Sequence, residues 1–273
     1  MFKIFKKKVD AGLPLCEIVA THGKQNNNTQ TLHMKKTLLI AAAALAAGII
    51  STQASSVYSQ NIVGYVNTTL QPGFNLIANP VNTGVSNGVN EIFPNVADGD
   101  IFVFWNGGGY DQVEYSPVGA SIFGLPTPWF DPNNPTVSVA IPTVQPGVGF
   151  YYYNSGSVNT NTVSGNVITA STNGLTSGFN LVSSIVPIGG SVTNANWNLN
   201  PNDGDIYVTW NGGGYDQVEY SPVGASIFGL PTPWFDPNNP TVSVNPPAFN
   251  VSQGFFYYNS ASTNIWTQAI TNN

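Results

Sequence analysis

The chain has 273 residues, enough for one large domain or two ordinary ones, and only 7% of them are charged, against about 25% in an average soluble domain. All seven Lys lie before residue 37, no Arg is present, His22, His33 and Cys16 also fall upstream, and 11 of the 13 carboxylates come after. Beyond residue 37 this excludes His- or Cys-built zinc and redox sites, nucleophilic triads that need an imidazole or lysine base, and nucleic-acid binding, whose affinity comes from Lys and Arg releasing counterions.

Residues 1–33 are polar and Lys-rich, with Asn26, Asn27 and Asn28 in a row; they read as an over-extended start or a long leader ahead of Met34. From Met34 the chain runs through Lys35 and Lys36 into an apolar stretch, Leu38 to Ile50, and exits at Ala54. A short positive head, an apolar centre and a small-residue exit make a secretory signal helix over 34–54, expected to be cut after Ala54. The apolar run is shorter than the ~20 residues that span a bilayer, so no transmembrane span is expected in the mature chain. The expected mature protein, 55–273, carries 11 negative charges and no positive ones, which also opposes binding to an anionic membrane surface.

That mature chain uses one unit twice. Residues 98–139 recur at 203–244 with an offset of 105, differing only at Phe102/Tyr207 and Phe104/Thr209. The same offset aligns Gly73-Phe74-Asn75-Leu76 with Gly178-Phe179-Asn180-Leu181, and Tyr152-Tyr153-Asn154-Ser155 with Tyr257-Tyr258-Asn259-Ser260. Across 73–97 against 178–202 only 8 of 25 positions match. A near-identical block between diverged flanks points to recent copying onto an older duplication. Two homologous domains are therefore expected, 55–169 and 170–273.

Short runs rich in β-branched and aromatic residues, separated by Gly, Pro and Asn, predict strands at 74–78, 101–105, 110–115, 136–141, 149–153 and 162–168. Asn106-Gly107-Gly108-Gly109 reads as a hairpin turn. The Pro-punctuated segment 116–135 reads as a long loop, because each Pro removes a ladder donor. In 101–105 the two changes between copies fall at alternate positions, so they share one strand face. Conservative core positions would then be Ile101, Val103 and Trp105, with 102 and 104 facing outward or towards the other repeat. The fold class is all-β: two tandem small β-sandwich or β-barrel domains after the signal helix.

Several of these elements, namely Ser56-Val-Tyr-Ser-Gln-Asn-Ile-Val-Gly-Tyr-Val-Asn67, Gly73-Phe-Asn-Leu-Ile-Ala-Asn-Pro80, Asp98-Gly-Asp-Ile-Phe102, Gln145-Pro-Gly-Val-Gly-Phe150, Gly178-Phe-Asn-Leu-Val-Ser-Ser184 and Trp266-Thr-Gln268, occur together along nearly the whole mature chain. In this the chain resembles a family of exported two-repeat proteins of Verrucomicrobia-type bacteria. More loosely, each unit is similar to β-modules of Bacteroidetes surface proteins with a G-W-N-L-I-x-N-P pattern and a P-G-Q-G-F close. Gly147-Val148-Gly149 departs from that close. The resemblance implies export and a β fold, and it carries no activity or catalytic residue.

The remaining chemistry is carboxylate and aromatic. Asp98, Asp100 and Asp111, with their copies Asp203, Asp205 and Asp216, suit a hard, oxygen-ligated cation, and Ca²⁺ is the candidate cofactor. Asp-Gly-Asp is equally a common turn. Exposed rings that stack on sugars beside neutral Asn, Thr and Ser are a second candidate: Trp129, Phe130 and Tyr110, copied as Trp234, Phe235 and Tyr215. Buried core rings are the competing reading, and Trp129 and Phe130, between Pro128 and Pro132, are the pair expected to be exposed. Gly119-Ala120-Ser121 lacks nucleophile-elbow spacing and a base. The sequence reading is thus an exported, non-enzymatic structural, adhesive or matrix module, with glycans or other copies of itself as partners. Its alternatives are a carbohydrate-binding module assisted by calcium and, third, a glycoside hydrolase using two carboxylates.

Overall fold

The computed structural model describes residues 62–270. The segments expected from the sequence as a leader and a signal helix, 1–54, lie outside these residues. The first repeat contributes β1 (Val63–Leu70), β2 (Gly73–Ala78), α1 (Val89–Ile92), β3 (Asp100–Trp105), β4 (Tyr110–Tyr115), α2 (Pro117–Phe123), β5 (Trp129–Asp131), β6 (Asn134–Ser138), β7 (Gly149–Asn154) and β8 (Asn159–Asn166). The second contributes β9 (Ala170–Val182), β10 (Gly190–Ser191), β11 (Asp205–Trp210), β12 (Tyr215–Tyr220), α3 (Pro222–Phe228), β13 (Trp234–Asp236), β14 (Asn239–Ser243), β15 (Ala248–Phe249) and β16 (Phe255–Ala269). The molecule is all-β in two similar halves. Among the described residues no helix is long and apolar enough to cross a membrane.

Each repeat builds a six-stranded antiparallel sheet, ordered β2-β7-β3-β4-β5-β6 in the first and β9-β16-β11-β12-β13-β14 in the second. In the first repeat a separate antiparallel pair, β1 with β8, packs over one face of this sheet. The second repeat makes the same two layers from continuous strands: β9 and β16 pair along their length, with a break in register between Asn259 and Thr263. An irregularity of this kind bends a strand pair, so one ribbon serves both layers.

Between the layers of the first repeat lie Val66, Leu70, Ile92, Phe93, Phe102, Trp129, Phe150 and Tyr152. The second core is filled differently. Trp197, Phe249 and Trp266 replace Ile92, Val144 and Asn161 at the 105-residue offset, and the two indoles stack at 5.2 Å. One bond survives this exchange: the Asn161 amide donates to the Ile92 carbonyl, and the Trp266 indole donates to the Trp197 carbonyl.

The other face of each sheet packs on its counterpart. Leu76, Val103, Tyr151, Leu181, Val208 and Phe256 are buried there, with Ile101, Trp105, Ile206 and Trp210 against them. These are matched pairs at the offset, so the contact is a two-fold seam within one chain. Trp105 donates from Nε1 to the Phe179 carbonyl, and Trp210 donates from Nε1 to that of Phe74. Main chain follows the same rule, with Ala78 N–H to Ser252 C=O and Ser183 N–H to Gly147 C=O. The inner sheet edges are thereby closed, and both repeats belong to one compact unit.

Two expectations need correction. Alternation along 101–105 holds, but the faces are reversed: Phe102 and Tyr207 are fully buried in their own repeats, whereas Ile101, Val103 and Trp105 meet the other repeat. The seam has to suit both copies at once, while each core can be refilled independently. Segment 116–135 is no loop either. Ser116 caps α2 through its hydroxyl, which accepts from Gly119 N–H, Pro117 opens the helix, and Gly124 closes it at φ 67°; this Ser-Pro start and Gly stop is a helix signature. The short strands β5 and β6 follow.

Candidate functional site

Three places carry the chemistry foreseen in the sequence. The first is the turn before β3. Asp100 is fully buried, and its carboxylate accepts from Ala97 N–H, from Ser155 N–H and Oγ, and from the Tyr152 hydroxyl. Burial, and then the hydrogen bond to Asp100 and its charge, push the Tyr152 phenol far above its usual range. Asp98 accepts from Ser116 Oγ at 2.8 Å and Val118 N–H at 3.1 Å, so it secures the start of α2. Asp203 and Asp205 repeat these bonds with Ser221, Val223, Ser260 and Tyr257. Asp111 and Asp216 stand apart on the hairpin, each accepting from an Asn side chain, Asn106 and Asn211. Among the described residues no three His, Cys, Asp or Glu come together as a metal site. The calcium candidates are instead placed as a buried clamp, a helix anchor and a turn lock.

Glu114 stands near Asp98. Partial burial, and secondly the Asp98 charge, raise its carboxyl above the ordinary range, and Glu219 is raised in the same way beside Asp203.

The second place is the aromatic set, and it divides. Trp129, Phe130, Trp234 and Phe235 are all buried, against the expectation that they stand in solvent. The reason is pairing: Trp129 lies opposite Tyr115 and Phe130 opposite Glu114 in the β4–β5 ladder. Trp129 therefore enters the core, and Phe130 lies on the other face beneath α2. A Cβ at Gly119 would stand 3.0 Å from the Phe130 ring, so the glycine eases the close approach of the helix to it.

Tyr110 and Tyr215 are the two ring candidates left in contact with solvent, at 44% and 47% exposure. They meet near the two-fold axis of the seam, where the Tyr215 hydroxyl lies 2.7 Å from that of Tyr151. Burial and the neighbouring Tyr215 push Tyr110 up to about 12. From this point rings run outward on both sides: Tyr151 to Phe74 at 6.2 Å and on to Tyr153 at 5.0 Å, and Phe256 to Phe179 at 6.2 Å and on to Tyr258 at 5.0 Å. Phe74 and Phe179 are exposed. Sequence reading missed Phe74, Phe179, Trp105 and Trp210 as surface-related residues. The duplicated Gly-Phe-Asn-Leu element was the available signal.

The third place is the outer end of each sheet. The Trp105 and Trp210 bonds set the third strand of one sheet over the first two strands of the other. The remaining strands, β4-β5-β6 and β12-β13-β14, contribute no residue to the buried seam cluster. Ser138 lies opposite Phe130 while Val139 N–H bonds the Trp129 carbonyl, so the Ser138 N–H and C=O face away from β5. Ser243 is in the same position. Among the described residues no strand pairs with the outer side of β6 or β14. Beside each edge, α2 and α3 expose Val118, Ile122 and Phe123, and Val223, Ile227 and Phe228, next to Val137 and Val242.

Comparison with family models, with curated proteins and with solved structures returned no match, so the functional reading rests on this geometry.

Proposed function

We propose that this protein is an exported, non-catalytic building block that joins end to end with copies of itself. One observation carries the reading: among the described residues the same unpaired edge and the same apolar helix occur twice, once in each repeat. Segments 117–130 and 132–139, and their copies, contain no charged residue. Natural edge strands are normally guarded by charge, by Pro or by a cover, and here Pro135 and Pro240 are the only such guards within β6 and β14. An end of this kind is complementary to itself, since an antiparallel edge pairs with an identical edge across a two-fold axis. With two such ends per molecule, pairing gives a linear chain instead of a closed dimer. Export is supported by the Leu38–Ile50 run and the small-residue exit at Ala54. Engagement of Asp98, Asp100 and their copies in hydrogen bonds supports a structural role for these carboxylates over a catalytic one.

Sedimentation velocity on the purified protein tests the reading. The wild type is expected to form a ladder of species that lengthens with concentration. Val137→Lys blocks one end and should stop growth at dimers, and Val137→Lys combined with Val242→Lys should leave monomers. A wild type that stays monomeric up to its solubility limit would overturn the proposal.

A further inference from the structure

Beside the seam lies a cleft of about 900 Å³, within the range of small-molecule sites. One wall is β1 and the start of β2, with Tyr65, Gln71 and Phe74. The other comes from the second repeat, with Trp210, Asn250 and Ser252. The walls are fastened together at three points: Trp210 Nε1 donates to the Phe74 carbonyl at 2.9 Å, the Thr68 and Ser252 hydroxyls lie 2.7 Å apart, and Ala78 N–H donates to the Ser252 carbonyl. The cleft is thus preformed. No residue lining it is Asp, Glu, Lys, Arg or His.

Its polar groups are available. The Tyr65 hydroxyl and the side-chain amides of Gln71 and Asn250 make no hydrogen bond with any described residue, whereas the neighbouring Asn75 amide is fully used on Gln71, Gly73 and Tyr152 carbonyls. Ser252 adds a backbone signal. It holds φ 62°, where the first repeat has Gly147 at φ 83°. A non-glycine residue there costs about 1–2 kcal/mol, and what the hydroxyl gains is its place on the cleft floor against Thr68.

We infer that this cleft binds an uncharged oligosaccharide. The exposed Phe74 face and the Trp210 ring offer π surfaces to the C–H faces of pyranose rings. Free amides and a phenol supply both donors and acceptors for equatorial hydroxyls. A charged sugar would find no counter-charge in the lining and a carboxylate-rich molecule around it. The pseudo-equivalent place on the other side of the seam keeps Phe179 and Trp105, but it has Ala170 for Tyr65, Thr176 for Gln71, Gln145 for Asn250 and Gly147 for Ser252. One site per chain follows, in spite of the duplication.

Titration calorimetry of the whole purified protein with cellohexaose, xylohexaose, mannohexaose, laminarihexaose and chitohexaose, and with a galacturonate hexamer as the charged control, decides the matter. At least one neutral oligosaccharide should bind once per chain, and the galacturonate should not. Phe74→Ala should weaken binding by about tenfold. Asn250→Ala, a surface change that leaves the fold intact, should weaken it as well. Phe179→Ala should have no effect, and the doubly blocked Val137→Lys, Val242→Lys protein should bind as the wild type does, which separates this site from end-to-end joining. Absence of binding by every neutral probe, two sites per chain, or equal loss in Phe179→Ala would overturn the inference.

Discussion

Tyr207 shows how one repeat can serve as a control for the other. Its ring sits where the first repeat has Phe102, both fully buried, and its hydroxyl has no hydrogen-bond partner among the described residues. A buried, unpaired hydroxyl costs about 1–3 kcal/mol. Tyr207→Phe is therefore expected to raise stability by about 1 kcal/mol in urea unfolding, and Phe102→Tyr to lower it. Loss of stability in Tyr207→Phe would mean that the hydroxyl is bonded in solution. Glu114 and Glu219 allow a second comparison. Their carboxyls are raised above the ordinary 4.5 by burial and by Asp98 or Asp203. A raised acid favours the folded state when protonated, below its unfolded value, and that advantage disappears as pH climbs through the folded value. The double Glu114→Gln, Glu219→Gln protein should accordingly melt higher than the wild type at pH 7, with the gap closing towards pH 4. A gap that is constant with pH would sink this account.

Among the elements, the hairpins and central strands were legible because they follow simple alternation, and β2, β3, β4 and β7 fall within a residue or two of their expected places. Segment 116–135 was not, because its prolines argue against strand while the Ser116-Pro117 start and Gly124 stop argue for a helix that only seven residues support. Burial of Trp129 and Phe130 was also hidden, since it depends on β5 folding back on β4, a pairing no local pattern announces. The bonds of the metal candidates were hidden for a related reason: Asp98-Gly99-Asp100 is a turn as much as a cation spacing, and the groups its carboxylates accept from, on Ser116, Val118, Tyr152 and Ser155, come from other parts of the chain. Asp98→Ala should cost about 1 kcal/mol, the usual loss for a helix start, and Asp100→Ala should cost more, because it strands several buried donors. Equal effects in chemical denaturation would contradict the division between anchor and clamp.

At the scale of the molecule, the duplication was plain in the sequence and the seam was not. A 105-residue offset says that two units exist, but it does not say which sheet face joins them; the invariant face of β3 turned out to be shared and the variable face private. Because Leu76, Val103 and Tyr151 are buried in one cluster with Leu181, Val208 and Phe256 of the other repeat, the halves should lose structure together. Calorimetry is expected to give a single transition, with Leu181→Ala shifting the whole of it and costing about 2–5 kcal/mol. Two separable transitions would show that the repeats are independent.

The junction between the halves is three residues, from the end of β8 at Asn166 to the start of β9 at Ala170, pinned by the Val167 N–H bond to Ile62 and the Ile270 N–H bond to Thr169. A tether this short keeps the two partner faces at an effective concentration in the millimolar range or above. Two free subunits would need a larger sealed contact to stay paired, and their interfacial rings would have to be covered. Here tethering holds the faces together, so Phe74, Phe179, Tyr110 and Tyr215 can remain at the water boundary, and aromatic surface that a dimer would spend on its own cohesion stays free to meet something else.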